Sequence, residues 1–165
     1  MKGRLFKLNN NKKVMLSPMS GRVTTILEIP DEVFSEKILG DGIAVIPEND
    51  DIYSPVNGEI VQVAETGHAF CIRSEDGAEI LIHVGVDTVK LKGRGFVSCV
   101  KNGQKVSAGE KIGTADLNLI KECGYPLHTA MLITNISMID KFEICSGKAI
   151  GGESVALYYT CKSKI

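Results

Sequence analysis

The stretch Ala69-Phe70-Cys71-Ile72-Arg73-Ser74-Glu75-Asp76-Gly77-Ala78-Glu79-Ile80-Leu81-Ile82-His83 decides how this chain is read. Ala69–Ser74 and Glu79–Val84 are short, apolar and rich in isoleucine, as strands are. Between them, Ser74-Glu75-Asp76-Gly77 carries the Asp-Gly step of a tight hairpin turn. Side chains alternate faces along a strand, so Ile80, Ile82, Val84 and Val86 share one face. Leu81, His83 and Gly85 share the other. An imidazole projecting from a strand beside a glycine is well placed to meet a partner group.

The same punctuation runs outward in both directions. Val14–Leu16, Gly21–Glu28, Gly42–Pro47, Asp51–Ser54, Gly58–Glu65, Gly95–Val97, Lys111–Ala115, Ala130–Thr134 and Ser154–Thr160 read as further short strands. Gly, Pro, Asn or Asp bounds each of them. Pro30–Ser35 reads as one or two helical turns. Asp116–Cys123 reads as a short helix with Asp116 as N-cap, stopped by Gly124 and Pro126. Many short strands at close spacing predict an all-β fold, an antiparallel β-sandwich or flattened barrel with one or two short helices.

An internal repeat is visible. Ser17-Pro18-Met19-Ser20-Gly21-Arg22-Val23 returns as Ser54-Pro55-Val56-Asn57-Gly58-Glu59-Ile60. Gly103-Gln104-Lys105-Val106-Ser107-Ala108-Gly109 is a related turn. The pattern resembles the hammerhead of biotinyl and lipoyl domains, which implies a duplicated sandwich built on internal pseudo-symmetry.

Composition narrows the function classes. At 165 residues the chain is long enough to bury a core as a single domain. Net charge is −1, with 19 basic against 20 acidic residues, so charge gives no argument for nucleic acid or an anionic membrane. Residues 1–13 are mildly basic (Lys2, Arg4, Lys7, Lys12, Lys13) and lack the apolar run of a signal peptide. They read as a flexible tail before a domain at 14–165. No stretch is long enough to span a bilayer. The five cysteines form no Cys-x-x-Cys pair, which argues against a disulfide framework or structural zinc and for a reducing, cytoplasmic setting. There is no P-loop, dinucleotide fingerprint or nucleophile elbow.

The chemistry lies with His68 and His83. His68 begins a strand after the Thr66-Gly67 turn, and the hairpin predicts it opposite His83 on the paired strand. Two facing imidazoles fit a phosphohistidine site, a pair of metal ligands, or a structural pair. The Thr66 hydroxyl is two residues from His68 and in reach of its ring. Asp87 follows His83 by four residues, where a carboxylate orients a ring or repels a bound phosphoryl group. His128, in Tyr125-Pro126-Leu127-His128, reads as a loop residue without a chemical role.

His68-Ala69-Phe70 and Glu79-x-x-x-His83-x-Gly85-x-Asp87-Thr88-Val89-x-Leu91-x-Gly93-x-Gly95-Phe96 closely resemble the glucose-type enzyme IIA of the bacterial phosphoenolpyruvate-dependent sugar phosphotransferase system. Pro18-x-x-Gly21, Val33-Phe34-x-x-Lys37-x-x-Gly40-Asp41-Gly42, Pro55-Val56-x-Gly58 and Thr134-Asn135 match as well. The resemblance covers residues 14–160. It implies a phosphocarrier that takes a phosphoryl group on His83 from phospho-HPr and passes it to the IIB domain of a sugar permease. His68 would stabilise the phosphoryl group, Thr66 would support His68, and Asp87 would be the acidic neighbour. A cytoplasmic setting with no required cofactor beyond the transient phosphoryl group is expected, and monomer is the default state; a regulatory binding protein is compatible with the same surface, since its phosphorylated and free forms present different charge to partners. Phe34, Ile38, Ile43, Val45, Phe70, Val89 and Phe96 are the expected apolar rim for partners. The Leu127–Ala130 loop departs from the family, where Thr-Pro is expected. A basic amphipathic N-terminal segment is reduced to about a dozen polar residues, so membrane association through it is not expected.

Rival readings are weaker. His83-x-x-x-Asp87 has the spacing of ligands in lysostaphin-type zinc peptidases, but the His-x-His pair they need is missing. An interfacial zinc on His68 and His83 would need a carboxylate from a partner. A biotin or lipoyl carrier needs a lysine between methionines at a hairpin tip, and none occurs.

Overall fold

The structure, a computed structural model, describes residues 12–163. The hairpin that opens the sequence argument lies inside its largest sheet. β6 (Ala69–Ser74) and β7 (Glu79–His83) pair antiparallel around the Asp76-Gly77 turn, where Gly77 takes φ +92°. That backbone state suits glycine, which has no Cβ to clash. On its other side β7 pairs with β11 (Thr129–Ile133), and β11 with β3 (Asp41–Pro47). β2 (Gly21–Thr25) and β13 (Gly147–Ala149) extend this side. β5 (Gly58–Val63) and β9 (Lys105–Val106) extend the other. The eight strands run β13-β2-β3-β11-β7-β6-β5-β9.

Two three-stranded sheets complete the described β-structure. One is β1 (Lys13–Leu16), β14 (Val155–Cys161) and β12 (Ile139–Ile144), in the order β1-β14-β12. The other is β4 (Asp51–Tyr53), β10 (Lys111–Ala115) and β8 (Phe96–Ser98), in the order β4-β10-β8. The main core gathers Met15, Ile43, Val45, Ile60, Phe70, Ile80, Ile82, Ile112 and Leu157, all without measurable exposure or nearly so. Two short α-helices are present among the described residues, α1 (Glu32–Ser35) and α2 (Leu117–Glu122). Asp31 and Asp116 cap them, accepting from the backbone N–H groups of Val33 and Leu119.

The sequence repeat is a structural duplication. Strand order reads the same outward from the β11–β7 pair: β3, β2, β13 on one side and β6, β5, β9 on the other. The two turns match bond for bond. Ser17 Oγ donates to Met19 O at 2.7 Å, and Ser54 Oγ to Val56 O at 2.7 Å. They also exchange hydrogen bonds: Leu16 N donates to Pro55 O at 3.0 Å and Tyr53 N to Pro18 O at 2.8 Å. Gly21 and Gly58 each press a carbonyl oxygen, of Ile46 and Arg73, to 2.1 Å from where a Cβ would stand. Only glycine permits that approach.

Several expectations are corrected. The hairpin register pairs His83 with Ala69, not with His68, so the two histidines are not cross-strand partners. The Gly21–Glu28 strand ends at Thr25 and continues as a 3-10 turn, Ile26–Glu28. Val86 leaves the face of Ile80 and Ile82, because β7 stops at His83 and Gly85 turns the chain at φ +74°. It packs instead in a smaller cluster with Ile26, Ile29, Phe34, Ala44, Ala130 and Leu132. The expected tail over 1–13 is too long by Lys13, which pairs with Tyr159 in β1. Residues 1–11 lie outside the described part. β9, β12 and β13 were not expected. Two are very short, and β12 carries Asp140, Lys141 and Glu143 on a partly exposed strand.

Candidate functional site

His83 ends β7 next to the pseudo-symmetry axis, and its neighbours across the sheet are small. Ala69 on β6 and Ala130 on β11 flank it, and Ala44 on β3 lies beyond Ala130. The imidazole therefore stands above a floor of methyl groups. Its Nδ1 is 2.9 Å from the carbonyl oxygen of Gly85. A carbonyl only accepts, so Nδ1 carries the proton and Nε2 of the neutral ring keeps its lone pair. The turn supplying that carbonyl is held by Thr88, whose hydroxyl donates to Val84 O at 2.5 Å. A Cβ on Gly85 would meet Thr88 Cγ2 at 2.5 Å, so the turn depends on glycine.

His68 reaches the same place by another route. It lies just before β6, in the bend that follows Thr66 and Gly67, and its carbonyl accepts from Val84 N at 2.9 Å. Outside the ladder, its side-chain direction is not fixed by the pleat. The His68 and His83 ring centroids are 4.9 Å apart at an interplanar angle of 78°. The structure thus brings the two histidines together although the register predicted for them is one residue out. Thr66 Oγ1 lies 2.5 Å from His68 Nδ1. Phe96 sits beside His68 with ring centroids 6.3 Å apart.

Burial pushes His68 down from its ordinary 6.5 to about 4, and the nearby His83 pushes the same way. Burial also lowers His83, opposed by the Gly85 carbonyl and the carboxylates of Asp31 and Asp87. Both rings are therefore neutral at pH 7. Asp87 is exposed, takes the left-handed φ +61°, and has Lys90 Nζ 4.0 Å away. Asp31 is a site residue the sequence reading missed. Its helix-capping role is legible in an aspartate that opens the Pro30–Ser35 turns, but its place beside His83 is not.

The expected apolar rim is mostly corrected. Ile43, Val45 and Phe70 are fully buried in the main core, where alternation on central strands points them. Phe34 is also buried, and its ring lies against His83 with centroids 5.0 Å apart. Ile38 (65% exposed) and Val89 (50%) do reach the surface, and Phe96 does in part. Leu39 and Val33, not singled out from sequence, are exposed as well.

A cavity of about 530 Å³ is lined by Lys12, Lys13, Asp76 and Tyr159 at the turn end of the hairpin, away from both histidines. Among the described residues no group of three or more His, Cys, Asp or Glu side chains could hold a metal ion. No helix among the described residues is long and apolar enough to cross a membrane.

Comparison with known proteins converges on one family. The family model described as phosphoenolpyruvate-dependent sugar phosphotransferase system, EIIA 1 matches residues 13–139. The glucose-specific EIIA component of the phosphotransferase system of Buchnera aphidicola subsp. Acyrthosiphon pisum is 45% identical over 149 residues, covering 90% of this chain and 92% of that protein. The corresponding component of Bacillus cereus is 42% identical over 148 residues, covering 88% and 90%. Among solved structures, the glucose permease IIA from Mycoplasma capricolum superposes with a TM-score of 0.83 at 38% identity, covering 90% of this chain and 97% of that one.

Proposed function

Because this chain belongs to the EIIA 1 family of the phosphoenolpyruvate-dependent sugar phosphotransferase system, whose members are phosphocarriers, we propose that His83 is its phosphoryl acceptor. The observation that carries this is the tautomer: Nδ1–H is committed to the Gly85 carbonyl, leaving Nε2 as the nucleophile. Nε2 attacks the phosphorus of phospho-HPr, a new P–N bond forms, and the P–N bond to the donor imidazole breaks. The electron pair returns to the donor ring. One P–N bond replaces another, so the transfer is near balanced, and positioning and electrostatics supply most of the catalysis. The reverse geometry serves delivery to the IIB domain of a sugar permease.

His68 is the stabilising donor in this reading. The Thr66 hydroxyl donates to His68 Nδ1, so the proton of the neutral ring sits on Nε2, free to bond a phosphoryl oxygen. Asp87 and Asp31 place negative charge near His83, which opposes the phosphoryl dianion and favours its departure. Exposed Ile38 and Val89, with Phe96, form the apolar contact for HPr and IIB, and the exchange takes place in the cytoplasm with the carrier as a monomer. Two imidazoles alone are too few for a zinc site of three or four protein ligands. A zinc ion on His68 and His83 would take a carboxylate from a docked partner and has no part in phosphoryl transfer.

Intact mass after mixing with phosphoenolpyruvate, enzyme I and HPr tests the assignment. One phosphoryl group is expected, lost in acid and kept in base. His83→Gln should abolish it, whereas His68→Gln should accept the group and pass it on poorly. No mass gain with active HPr would overturn the reading.

A further inference from the structure

We propose that Phe34 is a positioning residue for the nucleophile, holding the His83 ring at its attack angle, and not a docking residue for partner proteins. This deepens the phosphocarrier reading and rests on it. The floor beneath His83 is made of small side chains. Ala69, Ala130 and Ala44 lie in one row across the sheet with the histidine. The Gly85 hydrogen bond fixes one ring atom and the His68 ring bounds a second side at 4.9 Å, while the short methyl groups leave the side over Ala44 and Ala130 to be closed by another group.

Phe34 fills the space above that row. Its ring centroid is 5.0 Å from that of His83 at 56°, within the range of favourable tilted aromatic pairs. It belongs to one buried cluster with Ala44 and Ala130, and is 5% exposed. A side chain so covered offers little to an incoming protein, unlike Ile38 at 65% and Val89 at 50%.

Phe34 is itself held in place. Asp31 caps α1, accepting from Val33 N at 2.9 Å, while Phe34 N donates to Asp31 O at 3.1 Å. The helix ends where Lys37 N donates to Phe34 O at 3.1 Å, with Lys37 in the left-handed region at φ +62°. Lys37 Nζ then meets Asp41 at 3.2 Å, at the start of β3. The aromatic wall is thus tied to the sheet that carries the histidine. Misplacing an attacking atom by about 1 Å can cost on the order of a hundredfold in rate.

The test is rapid-quench phosphorylation of the full chain by phospho-HPr, varied in concentration, for wild type, Phe34→Leu, Phe34→Met and Phe34→Tyr. Leu and Met keep the apolar volume without a ring, and Tyr keeps the ring. We expect kcat to fall about tenfold in the Leu and Met variants, with KM for phospho-HPr within about twofold of wild type, and Tyr to recover most of the rate. Nitrogen-15 spectra of His83 give a second readout that needs no phosphoryl group. The Nδ1–H signal should weaken and Nε2–H should appear in the Leu and Met variants. A raised KM at unchanged kcat, with the His83 spectrum as in wild type, would overturn the proposal and make Phe34 a docking residue. Failure of the phosphocarrier reading would show separately, as no phosphoryl uptake by wild type. If one ringless variant does not fold, the other decides.

Discussion

His68 is the residue whose environment has the clearest measurable consequence. It sits at about 4 in the native protein, against an ordinary 6.5, chiefly through burial. The unfolded chain therefore takes up a proton on this ring at higher pH than the native chain does. Stability is unaffected by this group above pH 6.5, and falls as pH drops from 6.5 toward 4. His83 is shifted in the same direction and adds to the slope. Urea midpoints measured from pH 7.5 to 4.5 should show the decline, and His68→Gln should remove most of it. A slope of unchanged size in the variant would contradict the assignment. Thr66 makes a second case. Thr66→Val removes the hydroxyl at 2.5 Å from His68 Nδ1 and leaves the His68 tautomer unset. Phosphoryl uptake should still reach completion, while transfer to IIB slows by about tenfold, the size of contribution expected from one positioned donor.

At the scale of elements, the β6–β7 hairpin is anchored at the end opposite His83. Asp76 accepts from Tyr159 Oη at 2.6 Å and from the Ser74 hydroxyl, tying the turn to β14. Burial alone would raise the Asp76 carboxyl; hydrogen bonds from Ser74, Tyr159 and the Ala78 backbone, with the charge of Lys13, together hold the group below the ordinary carboxylate range. Tyr159→Phe leaves a half-buried carboxylate short of one donor and should cost about 1 kcal/mol in urea unfolding, with phosphoryl uptake unchanged. The duplicated turns allow a paired test. Ser17→Ala and Ser54→Ala each remove the same 2.7 Å bond from a fully buried serine, and each should cost about 1 kcal/mol. Clearly unequal losses would argue against equivalent turns. Much of this was legible in the sequence. Ala69–Ser74 and Lys111–Ala115 fall where strand composition places them, and the two Ser-Pro-x-x-Gly turns announced the duplication. The one-residue register error had a physical cause: turn geometry sets pairing, and an Asp-Gly step alone does not fix loop length. Phe34, Ile43, Val45 and Phe70 could not be told from rim residues, because apolar character is common to a core and a docking face. Asp31 was missed because its approach to His83 depends on how α1 packs over the sheet.

For the whole molecule, duplication explains where the site lies. The β11–β7 pair is the one place where the two halves meet within the large sheet, and His83 is on it. The segment from Ile26 to Ser35 packs a second, smaller core over that sheet and brings Phe34 and Asp31 to His83. Ile38 and Val89 lie outside this packing. The docking role proposed for Ile38 and Val89 predicts parallel effects on both partners. Val89→Asp should weaken the apparent affinity for HPr and for IIB together, by about tenfold each, without changing the extent of His83 phosphorylation. The measurement that goes to the centre of the account is the position of the phosphoryl group itself. Phosphorus-31 and nitrogen-15 spectra of the phosphorylated chain should show phosphorus coupled to Nε2 of His83, with Nδ1 still protonated and bonded to Gly85. Phosphorus on Nδ1 of His83, or on either nitrogen of His68, would contradict it.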